Sequence, residues 1–311
     1  MVAIALKVDV DTWRGTREGV PALMRVLDRV GASATFLFSL GPDNTGRAIR
    51  RALRPGFFGK VARTSVVEHY GLKTLLYGTL LPGPDIGRRE AATLRAVAQA
   101  GFETGVHAWD HVRWQDGVAN ASDAWTRTEL QRATERYAEI FGHTPRVHGA
   151  AGWQMNTAAY RIEAELGYQF ASDTRGYSPF LPVDGRGQES PLVQFPTTLP
   201  TLDELLGHEG RTAFNVHEAL LAMTNGVVSM QVYTLHAELE GQKFLRTFEQ
   251  LLAGWRAQGH TLVSLGQLAD ATDRYAVPRC CIAVGSVPGR SGSLAIQGAE
   301  TVPLAPRSMP S

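Results

Sequence analysis

The segment LKVDVDTWRG, residues 6–15, places an apolar run directly before two carboxylates, Asp9 and Asp11, which are separated by one valine. Side chains alternate between the two faces of a β-strand, so both acids project to the same side where the strand ends. Two like charges that close are unfavourable unless a cation lies between them or one of them is protonated. The segment therefore predicts a buried strand that ends at a metal site.

Length and composition limit what such a site can serve. A chain of 311 residues suits one large α/β barrel or two ordinary domains, and its net charge of +1 provides no global field that would recruit nucleic acid. The two cysteines, Cys280 and Cys281, are adjacent and cannot join distant parts of the fold, which favours a reducing compartment. The N-terminal run soon reaches Lys7 and Asp9, so neither a secretory signal nor an apolar span of membrane length is expected. We therefore expect a cytoplasmic protein.

Short β-branched or aromatic runs alternate with segments whose apolar residues are three and four positions apart. This pattern is typical of a parallel sheet wrapped by helices. The predicted strands start near Val2, Ala34, Phe102, Val147, Gly167, Val228 and His260, and the predicted helices start near Arg17, Arg88, Ser122 and Lys243. About seven strands predict an irregular (β/α) barrel, in which Asp9, Asp11, His107 and His236 all fall at C-terminal strand ends, where such barrels carry their chemistry.

Two stretches depart from this repeat. Residues 53–86 form an apolar insertion that contains Phe57, Phe58 and several leucines, with Lys60, Arg63 and Lys73 interleaved. Beyond residue 272 the chain is punctuated by Pro, Gly and Ser without periodicity, so we expect residues 1–272 to form the catalytic domain and residues 273–311 a disordered tail.

A histidine pair, His107 and His111, follows the strand predicted from Phe102. Imidazoles four residues apart can face one cation, although a bare pair at this spacing arises often by chance. Its place beside Asp11 at the predicted barrel mouth gives two nitrogens and one oxygen, a set that suits Zn, Fe, Co, Mn or Ni. We expect one divalent transition metal at Asp11, His107 and His111.

A third candidate for the site is His236, which lies at the end of the longest predicted apolar strand. A lone histidine on such a strand is more often a satisfied core residue. Its position at a strand terminus favours a function, because an imidazole can give a proton to a leaving amine at neutral pH.

The motifs VDVDT, HAWDH and TLHAE, in this order, resemble those of the polysaccharide deacetylase family, the NodB-homology carbohydrate esterases, over residues 1–270. Within the family the sequences HGAAGWQMN, ASDTRG and TLHAELEG are most similar to those of the bacterial enzymes that remove formyl from 4-deoxy-4-formamido-L-arabinose-phosphoundecaprenol. That resemblance implies a metal-dependent deformylase that yields the free aminosugar and formate during lipid A modification, which confers resistance to cationic peptides.

The resemblance also implies residue roles. Asp9 matches the family's general base. The metal ligands of the family correspond to Asp11, His107 and His111. His236 matches the general acid, and Asp173 matches the acid that orients His236. The family's arginine that tethers the base falls where this chain has His148 and Gly149, so that role is unassigned, although Arg14 or Arg146 could supply the cation. Three further residues are candidates for contact with the substrate, Trp153, Glu238 and Arg14, and for Trp153 a buried structural role is equally plausible.

The insertion bears on the substrate. Its leucines and phenylalanines either pack as a lid or lie in a bilayer interface, with the basic side chains meeting anionic headgroups. The second alternative suits a sugar linked to undecaprenyl phosphate and places the protein peripherally at the inner membrane. We expect no protein partner. The alternatives to the deformylase are an N-deacetylase acting on another amino sugar or polysaccharide, and an inactive carbohydrate-binding homologue.

Overall fold

A computed structural model describes residues 2–52 and 73–301. The strands within these residues are β1 (Ala3–Val10), β2 (Thr35–Ser39), β3 (Glu103–Ala108), β4 (Val147–His148), β5 (Phe170–Ala171), β6 (Leu181–Val183), β7 (Val193–Gln194), β8 (Gln231–His236), β9 (Thr261–Val263), β10 (Arg279–Gly285) and β11 (Leu294–Glu300). The helices are α1 (Val20–Val30), α2 (Thr45–Ala52), α3 (Ile86–Arg89), α4 (Ala91–Gln99), α5 (His111–Gly117), α6 (Asp123–Phe141), α7 (Thr157–Glu165), α8 (Leu202–Leu205), α9 (Val216–Thr224), α10 (Leu245–Ala257) and α11 (Leu265–Asp270).

The main sheet is parallel and strongly curled. Its strands follow the order β7-β5-β4-β3-β2-β1-β8, and β9 pairs with the first residues of β1. Between β7 and β8, the amides of Thr198 and Leu199 donate to the carbonyl of Val232, so a loop bridges the remaining opening. The predicted irregular (β/α) barrel of about seven strands is confirmed.

The alternation of β1 builds both layers of the core. Ile4, Leu6, Val8 and Val10 point outward and pack in the large cluster between the sheet and its helices. The intervening positions point into the barrel, where Ala5 belongs to the apolar interior cluster. The next two interior positions are Lys7 and Asp9, which means that the interior becomes charged toward the C-terminal mouth.

Helix ends follow the local signals in the sequence. Helix α1 has a proline in its first turn and ends at Gly31, whose φ of 61° is the left-handed conformation that glycine adopts without strain. Helix α6 is capped at its N-terminus by Ser122, whose side chain accepts a hydrogen bond from the amide of Trp125, and at its C-terminus by Gly142, with φ of 80°. These helices therefore end where the glycines predict.

The C-terminal segment corrects one expectation. Residues 279–300, predicted to lie in a disordered tail, form the antiparallel pair β10 and β11, and β10 also pairs with β6 of the preceding region. Leu294 and Cys280 are buried, and the Gln297 side chain accepts a hydrogen bond from the amide of Tyr177. The Pro, Gly and Ser residues that suggested disorder mark the loop between two strands. The two strands have alternating patterns of their own, which the sequence reading missed.

The insertion lies only partly within the described residues. Phe57, Phe58, Lys60 and Arg63 fall outside them, whereas residues 73–86 run along the mouth side of β2 as a 3-10 turn followed by a loop. Leu80 is 78% exposed, and Leu76 and Leu81 are also exposed. Every helix within the described ranges is too short or too polar to cross a bilayer.

Candidate metal centre

Three strand ends bring the predicted site residues together. Asp9 of β1 is the register partner of His236 of β8, and His107 lies near the end of β3 on the other side of β2. Asp11 follows β1 by one residue, and His111 is the first residue of α5, whose N-cap Asp110 accepts a hydrogen bond from the amide of Arg113. The parallel sheet thus delivers groups from distant sequence positions to one barrel mouth.

Asp11, His107 and His111 form a group that could hold one metal ion. Their potential ligand atoms all lie within 4.8 Å of one another. The Asp11 carboxylate has Oδ1 at 3.2 Å from Nε2 of His107 and Oδ2 at 3.5 Å from Nε2 of His111. Asp11 Oδ1 is buried without a hydrogen-bond partner among the described residues, as expected for an oxygen that faces a cation.

The histidine tautomer also fits a metal ligand. Nδ1 of His107 lies 2.6 Å from the carbonyl oxygen of Gly149, which can only accept a hydrogen bond, so Nδ1 carries the proton. In the neutral ring this tautomer leaves the lone pair on Nε2, the atom that faces Asp11. A second-sphere carbonyl of this kind fixes ring orientation in metal sites.

Charge states favour metal binding as well. Burial lowers the pKa of His111 to about 4, so its imidazole is neutral at pH 7, as a ligand must be. Burial alone would raise the pKa of Asp11, but His111 and His107 hold it well below its usual range. A carboxylate anion and the neutral imidazole of His111 match the donor preference of divalent transition metals.

Asp9 lies beside the group but has a different partner. Its Oδ2 is 3.2 Å from Nζ of Lys7, a lysine that is fully buried in the barrel interior. Oδ1 is 3.8 Å from Nδ1 of His107 and makes no hydrogen bond with any described residue. Lys7 was not among the predicted site residues, although strand alternation places it on the same face as Asp9 and would have identified it.

His236 is surrounded by acids. Burial alone would lower its pKa, but the charges of Asp203, Asp11 and Glu240 raise it to about 9. Glu240 accepts a hydrogen bond from the His236 amide through Oε2. Asp203, the strongest of these influences, lies in α8, far from His236 in sequence, and no motif marked it.

Asp173 does not lie beside His236 as predicted. Its carboxylate accepts hydrogen bonds from the amide of Ala150, the side chain of Gln194 and Nδ1 of His148, and both oxygens are used. The same Nδ1 is 2.8 Å from Oε1 of Glu163. The prediction that Asp173 orients His236 is wrong, because the loop after β5 turns the acid toward β4.

The cluster of His148, Glu163 and Asp173 also has the composition of a metal site. Burial would lower the pKa of His148, yet the two carboxylates raise it to about 10. The ring is therefore cationic at pH 7 and serves as the counter-ion itself. His148 therefore forms a buried ion network with Asp173 and Glu163.

The remaining candidates for substrate contact have structural partners. Glu238 is buried, and its Oε1 accepts hydrogen bonds from the amides of Asp11 and Thr12 and from the Thr12 hydroxyl, so it holds the turn that carries Asp11. Trp153 is buried and donates to the Thr197 hydroxyl, in agreement with its structural alternative. Arg14 donates to the carboxylate of Glu18 on the surface.

Neither arginine considered as a tether for Asp9 takes that place. Arg14 pairs with Glu18, and Arg146 donates to Gln169 and Asp270 on the outside of the barrel. The cation next to Asp9 is Lys7.

Two glycines join the loops that follow β1 and β8. A Cβ at Gly19 would lie 2.0 Å from the carbonyl oxygen of Ala237, and a Cβ at Gly241 would lie 2.7 Å from the Cα of Gly19. The Ala237 amide also donates to the carbonyl oxygen of Asp9. The backbones that carry Asp9 and His236 are therefore in direct contact.

The chain is similar in sequence to known proteins. Residues 3–171 match the polysaccharide deacetylase family model. A probable 4-deoxy-4-formamido-L-arabinose-phosphoundecaprenol deformylase of Shewanella sediminis is 36% identical over 270 residues, 87% of each chain. A relative of the same description from Wigglesworthia glossinidia brevipalpis is 31% identical over 91% of this chain and 98% of its own.

A solved structure agrees with the fold. The crystal structure of a probable polysaccharide deacetylase from Pseudomonas aeruginosa has a TM-score of 0.60, covers 86% of this chain and 90% of its own, and is 13% identical. At that identity the likeness concerns the fold alone.

The metal group can be tested directly. We expect the purified chain to bind about one Co²⁺ or Zn²⁺, and Asp11→Ala or His111→Ala to weaken binding by at least about 100-fold, because each removes one of three ligands. Isothermal titration with Zn²⁺ and the visible spectrum with Co²⁺ measure this. His143→Ala, a change at an exposed histidine, is the matched control and should bind as the parent does. Unchanged affinity in both ligand variants would contradict the assignment.

Proposed function

Because the chain belongs to the polysaccharide deacetylase family, we propose that it is a metal-dependent amidohydrolase that deformylates undecaprenyl-phosphate-linked 4-deoxy-4-formamido-L-arabinose. The products are 4-amino-4-deoxy-L-arabinose-phosphoundecaprenol and formate. The observation that carries the proposal is the meeting of a metal-ligand group with one available carboxylate, Asp9, and one cationic imidazole, His236, at a single barrel mouth. The descriptions of the two curated relatives supply the substrate.

Asp11, His107 and His111 would hold the metal, and Zn, Co, Mn, Fe and Ni all suit this donor set. When bound, a divalent ion supplies Lewis acidity that polarises the amide carbonyl and makes a neighbouring water more acidic.

Asp9 acts as the proton acceptor. Oδ1 carries no hydrogen bond within the described residues, so it is the oxygen available to take a proton from the attacking water. The water oxygen bonds to the formyl carbon and gives a tetrahedral intermediate. Asp9 thereby supplies the base that amide hydrolysis requires.

His236 acts as the proton donor. With its pKa raised to about 9 by Asp203 and the other nearby acids, the ring carries its proton at neutral pH. As the C–N bond breaks, His236 gives this proton to the amine nitrogen, which would otherwise leave as a poor, anionic group. Formic acid and the free amine result, and the acid loses its proton to give formate. The proton held by Asp9 passes to solvent, and His236 takes up a proton from solvent before the next turnover.

The apolar surface beside the mouth supports a lipid-linked substrate. Leu76, Leu80 and Leu81 are exposed on the loop that follows residue 73, where solvent contact of clustered leucines is unfavourable. We propose that this loop enters the headgroup region of the inner membrane from the cytoplasmic side and places the mouth over the sugar.

The central test is turnover of the lipid-linked formamido sugar, followed by mass spectrometry. We expect loss of the formyl mass, and we expect Asp9→Asn to reduce turnover by about 100-fold to 10,000-fold with metal content unchanged, since only the base is lost. The acetamido analogue is the matched substrate. Equal or faster removal of acetyl would favour the deacetylase alternative. A metal-loaded chain that turns over neither would favour a binding homologue.

The pH dependence separates two acids. Only protonated His236 can donate, so kcat/KM should fall as the pH rises through about 9. Asp203→Asn removes a charge that favours the protonated ring, and because Asp203 is solvent-exposed we expect the alkaline limb to move down by about half a pH unit. Asp173→Asn should leave this limb in place. A shift of the alkaline limb in Asp173→Asn, with none in Asp203→Asn, would instead support Asp173 as the acid that orients His236.

Membrane contact can be tested with vesicles that contain undecaprenyl phosphate and anionic lipid. Leu80→Ser should reduce co-sedimentation by about tenfold, because the variant loses the free energy of moving one leucine side chain from water into the bilayer interface. Val284→Ser, at a residue 76% exposed on β10, is the matched control. Equal binding of the two variants to the vesicles would contradict the proposal that this loop enters the membrane interface.

A further inference from the structure

We propose that Lys7 is a positioning residue that holds Asp9 in its reactive orientation. The inference rests on the part of the proposed function that makes Asp9 the base, which is common to the deformylase and the deacetylase alternative. Lys7 and Asp9 are two residues apart on the inward face of β1, and Lys7 is 0% exposed. Removing an ammonium group from water costs several kcal/mol unless an anion compensates.

The ammonium has one close anionic partner. Nζ forms an ion pair with Oδ2 of Asp9 at 3.2 Å, and it makes no hydrogen bond of good geometry with any described residue. A lysine that served only to tie the fold together would satisfy its three donors with surrounding acceptors. Among the described residues, Lys7 instead has Asp9 as its ion-pair partner.

The surroundings confine the lysine stem. A Cβ at Gly149 would lie 2.9 Å from Cε of Lys7 and 2.4 Å from a methyl of Leu37, so glycine at this position leaves the space that the stem occupies. On another side, Nζ is 5.2 Å from the centre of the Trp153 ring, close enough for a cation–π contact. The ammonium therefore has little room to move away from Asp9.

This restraint has a chemical consequence. A free aspartate can rotate either oxygen toward the substrate, and each unproductive orientation lowers the rate. With Oδ2 held by Lys7, Oδ1 is the oxygen that remains toward His107 and the metal ligands. Small errors in the placement of a catalytic group cost about 100-fold in rate, so such a restraint matters.

The test removes the charge and keeps the stem. In metal-loaded full-length protein, Lys7→Met should lower kcat by about 30-fold to 100-fold while KM changes by less than about threefold, because substrate binding does not involve Lys7. Lys7→Arg, which retains a cation, should recover at least about tenfold of the loss. Zn²⁺ affinity should match the parent in both variants. The matched control is Lys243→Met, a lysine outside the barrel interior.

Each result decides the matter. A lower kcat in Lys7→Met with intact metal binding and recovery by arginine supports positioning. A kcat equal to that of the parent overturns it, as does an equal loss in the arginine and methionine variants at full metal occupancy. The assays use both the formamido and the acetamido substrate. If only acetyl is removed, the deformylase proposal fails, while the effect of Lys7 is still measured on that reaction.

Discussion

The balance of charge inside the barrel mouth is the constraint on which the site depends. Strand β1 brings Lys7 and Asp9 into the buried interior of the barrel, and each ionised group there needs a compensating partner. Asp9 has Lys7, Asp11 faces two imidazoles, and His236 lies among acids from three loops. The curled parallel sheet is the scaffold that brings these partners together from distant positions in the chain.

Two clusters with the same residue types have opposite properties. At the mouth, His111 faces one carboxylate and another histidine and is neutral; within the wall, His148 lies between two carboxylates and is cationic. Composition alone would make both of them metal sites. The number of acids beside each imidazole accounts for the opposite directions in which the two pKa values move.

Much of the fold and the metal group could be predicted because the signals are local. Strand alternation relates Asp9 to Asp11, a spacing of four relates His107 to His111, and glycines mark the ends of α1 and α6. Asp173 and Asp203 could not be assigned from the sequence, because the loops after β5 and β7 decide which acid approaches His236. The pair β10 and β11 was missed since its loop is rich in Gly, Ser and Pro, which hid two short alternating strands. Lys7 was available to the same alternation argument, but a single lysine in an apolar strand carries no motif.

The contact between Gly19 and Gly241 has a consequence for how this barrel can change over time. These residues are neither metal ligands nor proton carriers, yet they determine how closely the loops after β1 and β8 approach each other. A methyl group at either position would push apart the two chain segments that carry Asp9 and His236, and with them the turn of Asp11 that Glu238 holds. A descendant with a larger side chain at either position would lose the alignment of a metal ligand, the base and the acid together, so both positions are closed to any residue but glycine.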